Sequence, residues 1–260
     1  MIDLDDLLAI ARRAGAAILE HYDRPETVQT KADESPLTAA DLAAHRVIRD
    51  GLAALAPELP LLSEEGGMPD YATRGGWSRY FLVDPLDGTK EFLKRNGEFT
   101  VNIALIENGR ATAAVVHAPA LGGASWAGRV GEGAWREVDG HRDAIQTAAL
   151  PPVWRILVSR SHRSPEVETF LARCPAHEPI AAGSSLKFCR IAEGAADVYP
   201  RLGPTSEWDT AAGQCVLEAA GGVVLRTDGS PLRYNAKADI LNPWFIAAGV
   251  AEHDWAALAA

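Results

Sequence analysis

Three acidic clusters in this sequence sit where elements begin or end. Leu59-Pro60-Leu61-Leu62 leads into Ser63-Glu64-Glu65, Tyr80-Phe81-Leu82-Val83 leads into Asp84-Pro85-Leu86-Asp87-Gly88-Thr89, and Glu207-Trp208-Asp209 precedes a helix expected to begin near Thr210. Carboxylates that leave a sheet at one edge share a direction. Between Asp84 and Asp87, Pro85 fixes one φ and removes a donor, while Gly88 permits a tight turn, so both acids and the Leu86 carbonyl can converge on one point. Oxygen ligands of this kind suit a hard cation such as Mg²⁺, and no nearby Cys or His cluster points to zinc. With Glu64 and Asp209 the set reaches four carboxylates, enough to hold two cations against a phosphoryl group. Gly88-Thr89 would place backbone N–H groups at a helix start, where phosphate oxygens are favoured.

The chemistry implied is metal-assisted hydrolysis of a phosphate ester, with water as nucleophile and no covalent intermediate. A GxSxG elbow and a Walker A lysine loop are both absent. Each acid also has a plainer use: a lone carboxylate at a helix start is a cap, as Asp209 could be, or Asp41 three residues after Thr38. An Asp-Pro or Asp-Gly pair can be only a turn. The joint occurrence of three clusters at element edges is what favours a site.

The elements that must carry these residues follow from hydrophobic spacing. Leu4, Leu7, Leu8, Ala11, Ala14, Ile18 and Leu19 recur as one face of a helix, and a second helix starts at Thr38 with Leu42, Val47, Ile48, Leu52 and Leu55 as its apolar face. Strands are expected at 59–62, 80–83, 100–106 and 111–116, the last two joined by Asn108-Gly109, with a largely antiparallel sheet continuing to about Val138. After Pro151-Pro152 strands and helices alternate: strands at 156–158, 198–199, 223–225 and 245–248, helices opening at Ser164, over 184–193, over 210–220 and over 254–258. This gives an α+β half over 1–150 carrying most of the metal ligands. An α/β half over 151–260 completes the site, which is placed between the two.

The sequence has 260 residues, 25 basic and 35 acidic, for a net charge of −10, which disfavours a nucleic-acid polymer or an anionic membrane as the main partner. Three cysteines without CxxC spacing support neither a disulfide framework nor a zinc site. The N-terminal segment lacks the apolar stretch of a secretory signal, and no run of about 18 apolar residues predicts a membrane span, so a cytoplasmic protein is expected.

The assembled motifs resemble those of the lithium-sensitive, Mg²⁺-dependent inositol monophosphatase family. The resembling segments are Thr38-Ala39-Ala40-Asp41, Ser63-Glu64-Glu65, Asp84-Pro85-Leu86-Asp87-Gly88-Thr89 and Trp208-Asp209-Thr210-Ala211-Ala212-Gly213, followed by Glu218-Ala219-Ala220-Gly221-Gly222. Further segments look like the family's 3′(2′),5′-bisphosphate nucleotidase branch: 31–38, Lys90-Glu91-Phe92, 98–105, Ser159-Arg160-Ser161-His162, 183–188 and Tyr199-Pro200-Arg201. The resemblance implies a layered α/β/α/β/α fold and two or three Mg²⁺ per site. It implies cleavage of adenosine 3′,5′-bisphosphate, a by-product of sulfate activation, to AMP and phosphate. The implied metal ligands are Glu64, Asp84, the Leu86 carbonyl, Asp87 and Asp209. Glu64 and Thr89 would orient the attacking water, and Asp41 would complete the proton network. Gly88, Thr89 and Asp209 would face the phosphate, and His162, Ser184, Lys187 and Arg201 the nucleotide. An inositol or sugar phosphatase shares the same core, and a non-catalytic nucleotide- or metal-binding sensor is the reading of a different class. The resemblance is also compatible with a homodimer and with loose peripheral membrane association.

Overall fold

A computed structural model describes residues 1–22, 29–30, 36–160 and 164–259. In chain order the first part holds α1 (Leu4–Tyr22), the two-residue pair β1 (Gln29–Thr30) and β2 (Pro36–Leu37), α2 (Ala39–Leu55), β3 (Leu61–Ser63), α3 (Tyr71–Arg74), β4 (Arg79–Asp87) and α4 (Thr89–Leu93). A run of strands follows: β5 (Thr100–Glu107), β6 (Arg110–Ala118), β7 (Ala124–Arg129), β8 (Gly133–Val138) and β9 (His141–Ile145). Residue 150 lies in the connection to β10 (Trp154–Ser159), after which come α5 (Pro165–Arg173), β11 (His177–Ala182), α6 (Leu186–Ala192), β12 (Val198–Arg201), α7 (Glu207–Ala219), β13 (Val223–Arg226), β14 (Phe245–Ala248) and α8 (Trp255–Ala259).

Strands β3 to β9 form one seven-stranded sheet in sequence order, antiparallel except for the parallel pair β3–β4. The β5–β6 hairpin closes on Asn108 and Gly109, both at positive φ (52° and 73°), the geometry an Asn-Gly turn supplies. The second sheet has the order β11-β10-β12-β14-β13, parallel across the first three strands and antiparallel beyond.

Alternation along the strands builds the layers. Phe81, Val83, Val101, Ile103 and Leu105 face α1 and α2, whereas Tyr80, Leu82, Ala104 and Ile106 face α6 and α7. In the second sheet Leu157, Tyr199, Phe245 and Ala247 turn towards that same helical layer, while Ile156, Val158, Val198 and Ile246 pack on α5 and α8. The stacking is therefore α/β/α/β/α, as the resemblance implied, with α6 and α7 sharing one core with both sheets. Among the described residues no helix is long and apolar enough to cross a membrane.

Three details depart from the sequence reading, and the cysteines agree with it. Helix α7 begins at Glu207, not near Thr210, because Ser206 and Asp209 form a capping box that draws the first turn upstream. Strands β9 and β11 were not expected; β9 is an exposed edge with no apolar alternation, and β11 is largely half-exposed. Leu19 and Leu42 are exposed, because α1 and α2 meet the sheet through small residues such as Ala14, Ala40 and Ala44. Cys189 and Cys215 are buried free thiols, and Cys174 is free and half-buried.

Candidate active site

The ends of β3 and β4 and the start of α7 bring the acidic clusters together. Glu64 extends the β3–β4 ladder by one residue, its N–H donating to the Val83 carbonyl at 3.2 Å, which puts it beside Asp84. In a regular strand residues 84 and 87 would point to opposite faces. Here Asp84 pairs with Asn102 and Asp87 with Thr100, so one residue is inserted on β4, and this bulge at Pro85-Leu86 turns both acids to the same side. Pro85 has no N–H for the bulge to leave unpaired. The Asp84 carboxylate accepts the Leu86 N–H at 3.0 Å, which tightens the turn.

Gly88 follows with φ 93° and ψ 42°, a left-handed conformation that a side chain would strain, and it starts the short helix α4. Thr89 Oγ1 lies 3.4 Å from both the Leu86 carbonyl and Asp41 Oδ1, and so can donate to either. Asp41 in turn accepts the Thr38 N–H at 2.8 Å and the Thr38 hydroxyl at 2.7 Å through Oδ2, the capping box that opens α2. Asp209 does the same for α7, accepting the Thr205 hydroxyl at 2.7 Å and the Ser206 N–H at 2.9 Å through Oδ2.

Carboxylate oxygens of Glu64, Asp84 and Asp209 all lie within 4.8 Å of one another, and Asp84 is only 1% exposed. Burial, then the negative charges of Glu64, Asp87 and Asp209, push the Asp84 carboxyl well above the usual carboxylate range. The Asp87 carboxyl is pushed up to about 6 by burial and by Asp209, against the opposing pull of Lys187 and Ser185. Like charges gathered in a buried place are costly without a counter-ion, and an all-oxygen set with a main-chain carbonyl nearby fits a hard divalent cation. These residues therefore fit the expected metal.

Asp87 stands one step aside from that trio, held by three donors. Its Oδ2 accepts the Ser185 N–H at 2.6 Å, the Ser185 hydroxyl at 2.7 Å and Asn102 Nδ2 at 3.3 Å. Ser185 Oγ also accepts from Asn102 Nδ2 at 2.7 Å and lies 2.9 Å from the Asp209 carbonyl, so one hydroxyl joins β4, β5, α6 and α7. Ser185 and Asn102 were not singled out individually as site residues. Their signal was their place inside the quoted segments 183–188 and 98–105. A second support, His45 Nδ1 at 2.9 Å from Ser63 Oγ, ties α2 to the residue before Glu64.

The acids open into a cleft of about 660 Å³ whose lining runs from Glu64, Asp87 and Thr89 across Ser184 and Lys187 to Arg201. Lys187 is buried: Nζ donates to the Ser184 carbonyl at 2.6 Å and lies 5.1 Å above the Tyr199 ring. Arg201 Nη1 donates to Ser159 Oγ at 2.9 Å and Nη2 to the Pro204 carbonyl. His162 and the segment 31–35 lie outside the described residues.

Residues 3–259 match the model of the inositol monophosphatase family. A relative from Escherichia coli K12, 3′(2′),5′-bisphosphate nucleotidase CysQ, is 51% identical over 245 residues, covering 93% of this chain and 98% of its own. A protein of the same name from Buchnera aphidicola is 40% identical over 95% of this chain and 94% of its own. Among solved structures, CysQ from Bacteroides thetaiotaomicron, a bacterial member of the inositol monophosphatase family, superposes with a TM-score of 0.82 at 41% identity, covering 96% of this chain and 97% of that one. An IMPase from Thermotoga maritima reaches 0.81 at 26% identity, covering 100% and 97%.

Proposed function

This chain belongs to the inositol monophosphatase family, and from that premise we propose that it is a Mg²⁺-dependent nucleotidase that removes the 3′-phosphate of adenosine 3′,5′-bisphosphate, giving AMP and phosphate. The observation that carries the proposal is the cluster of Glu64, Asp84 and Asp209 at a cleft that Lys187 and Arg201 also line, so that carboxylates for a metal-held phosphate and cations for a second anionic group share one cavity. The similarity to bisphosphate nucleotidases over nearly the whole chain supports the same substrate.

Glu64, Asp84, the Leu86 carbonyl, Asp87 and Asp209 would hold two or three Mg²⁺. When bound, such ions supply Lewis acidity and make water nucleophilic at neutral pH. Thr89 Oγ1 donates its proton to Asp41, which leaves its lone pairs to accept from the attacking water and so orient it, with Glu64 as the second acceptor. Asp41 then provides the sink at the end of that proton relay. The N–H groups of Gly88 and Thr89 hold the phosphate oxygens. Lys187 has one further N–H beyond its carbonyl bonds, and with Ser184 and Arg201 it binds the nucleotide's remaining phosphate and ribose; His162 belongs to the same wall in this reading. The net charge of −10 gives no help to an anionic substrate, so attraction is local.

Phosphate release measured with Mg²⁺ on adenosine 3′,5′-bisphosphate, inositol 1-phosphate and fructose 1,6-bisphosphate tests the proposal. The nucleotide should have the highest kcat/KM. A clear preference for inositol 1-phosphate would overturn it.

A further inference from the structure

Glu98 lies in the connection between α4 and β5, yet its side chain reaches across to the second sheet. Oε1 accepts from Arg160 Nη2 at 2.7 Å and Oε2 from Arg160 Nε at 2.8 Å, a two-pronged pair. The same Oε2 accepts the Gly183 N–H at 2.8 Å. Arg160 follows the last residue of β10 and Gly183 the last residue of β11, so one carboxylate ties the metal-bearing side of the cleft to two adjacent strand ends of the opposite wall. Arg160 Nη2 also donates to the Ala181 carbonyl at 3.0 Å, which keeps the guanidinium on β11.

The backbone is equally close. A Cβ on Gly183 would lie 2.7 Å from the Glu98 carbonyl oxygen and 2.8 Å from Glu91 Cγ, and a Cβ on Gly88 would lie 3.2 Å from the same carbonyl. Glu98 is thus gripped between two glycines, one from each side of the cleft. Immediately after Gly183 the chain takes a positive φ of 41° at Ser184 and then delivers the Ser185 donors to Asp87. Burial raises the Glu98 carboxyl, but hydrogen bonds from Arg160 and Gly183 outweigh it and hold the group below its usual range, so it is ionised at neutral pH.

We propose that Glu98 and Arg160 form a clamp that fixes the spacing between the acidic end of the cleft and its Lys187–Arg201 wall, and that this spacing selects a bisphosphorylated nucleotide over a compact phosphate. The proposal rests on the nucleotidase reading above. A compact phosphate needs only the acidic end, so the spacing of the walls is immaterial to it. A nucleotide with two phosphates touches both ends at once, and its affinity depends on their separation. Arg160 lines the cleft, but in this scheme its guanidinium is committed to Glu98 and the Ala181 carbonyl, and both Glu98 and Arg160 act as positioning residues.

The test uses Glu98→Ala, Glu98→Gln, Arg160→Gln and the Glu98→Ala/Arg160→Gln double variant of the full chain. Four quantities are measured: KM and kcat for adenosine 3′,5′-bisphosphate, the Mg²⁺ concentration at half-maximal rate, and the inhibition constant of inorganic phosphate, a probe confined to the acidic end. Loss of the pair should raise KM roughly tenfold, the scale of a charge-assisted pair at a partly exposed site, with kcat, Mg²⁺ dependence and phosphate inhibition within about twofold of wild type. Glu98→Gln keeps an acceptor for Gly183 and should fall in between. The double variant should be no worse than the single ones, since both break one clamp. Arg160→Gln leaves the Glu98–Gly183 bond intact, so it reads the clamp even where Glu98→Ala folds poorly. Unchanged KM, KM and phosphate inhibition rising together, a shifted Mg²⁺ requirement or additive losses would each overturn the clamp. A wild-type enzyme that does not cleave the nucleotide would overturn the nucleotidase reading and this role with it, whereas variants failing on an active wild type would sink the clamp alone.

Discussion

Replacing Asp87 by Asn should move stability and activity in opposite directions. The Asp87 carboxyl is pushed up to about 6 in the folded chain, first by burial and next by Asp209, whereas its ordinary value is 3.8. A raised carboxylate is a cost that appears as pH climbs. Below pH 4 the group is neutral in both folded and unfolded chains and contributes nothing. Between about 4 and 6 the unfolded chain ionises first, and above 6 the full penalty stands. Two units at roughly 1.4 kcal/mol each make it about 3 kcal/mol in the metal-free protein. Asparagine keeps the shape and an oxygen to accept from Ser185 while removing the charge.

In EDTA at pH 8 the Asp87→Asn variant should therefore be the more stable protein by up to about 3 kcal/mol, a gain that shrinks to nothing by pH 4. With Mg²⁺ at a hundred times its dissociation constant the wild type gains about 2.7 kcal/mol from binding, most of which the variant forgoes, along with Mg²⁺-dependent turnover. Urea melts of both proteins at pH 4, 6 and 8, with EDTA or with Mg²⁺, read all of this. The reasoning is refuted if the variant is less stable than wild type in EDTA at pH 8, or if Mg²⁺ stabilises both proteins equally.

Gly88→Ala forces a side chain into φ 93° with its Cβ 3.2 Å from the Glu98 carbonyl, so a loss of ~1–2 kcal/mol in a urea melt and a fall in kcat are expected; wild-type stability would contradict the strain. Ser185→Ala removes the hydroxyl that bridges Asn102, Asp87 and the Asp209 carbonyl, and should cost ~1–3 kcal/mol of stability while raising the Mg²⁺ concentration needed for half-maximal rate. Burial, with Arg12 nearby, pushes His117 down to about 4, so this ring stays neutral in the fold while the unfolded chain's histidine protonates below about 6.5. Wild-type stability should thus fall by up to about 3 kcal/mol between pH 6.5 and 4 on its account, and His117→Gln should flatten that part of the profile in chemical denaturation.

Much of the architecture was legible because the strands obey period two and the helices carry caps. Tyr80 to Val83 reads as a buried strand, and residues 80 and 82 do face one helical layer while 81 and 83 face the other. Strand β9, polar over its first three residues and exposed along most of its length, offers no such pattern, and its pairing with β8 exists only in the sheet. The convergence of Asp84 and Asp87 was legible from Pro85 and Gly88, but the inserted residue that aims them depends on the register against Asn102 and Thr100. No single strand carries its register. The Glu98–Arg160–Gly183 contact joins residues 62 and 85 positions apart, and nothing local marks it.

The sequence also posed a choice that the structure dissolves. Asp41 and Asp209 could be read as helix caps or as members of a site, as though one excluded the other. Each is a cap: Asp41 Oδ2 accepts from Thr38, and Asp209 Oδ2 accepts from Thr205 and Ser206. Yet Asp41 Oδ1 faces the Thr89 hydroxyl, and the Asp209 carboxylate lies within 4.8 Å of Glu64 and Asp84. A carboxylate has two oxygens, and the capping bonds that satisfy one also fix the direction of the other. Holding an acid at the third position of a helix by two donors costs it rotational freedom that a metal or a proton relay would otherwise have to remove on binding. Capping is here the means of preorganisation. Thr205→Ala, which leaves Asp209 in place but removes one of the two donors that hold its Oδ2, should accordingly weaken Mg²⁺ activation as well as stability, and a loss of stability alone would separate the two roles again.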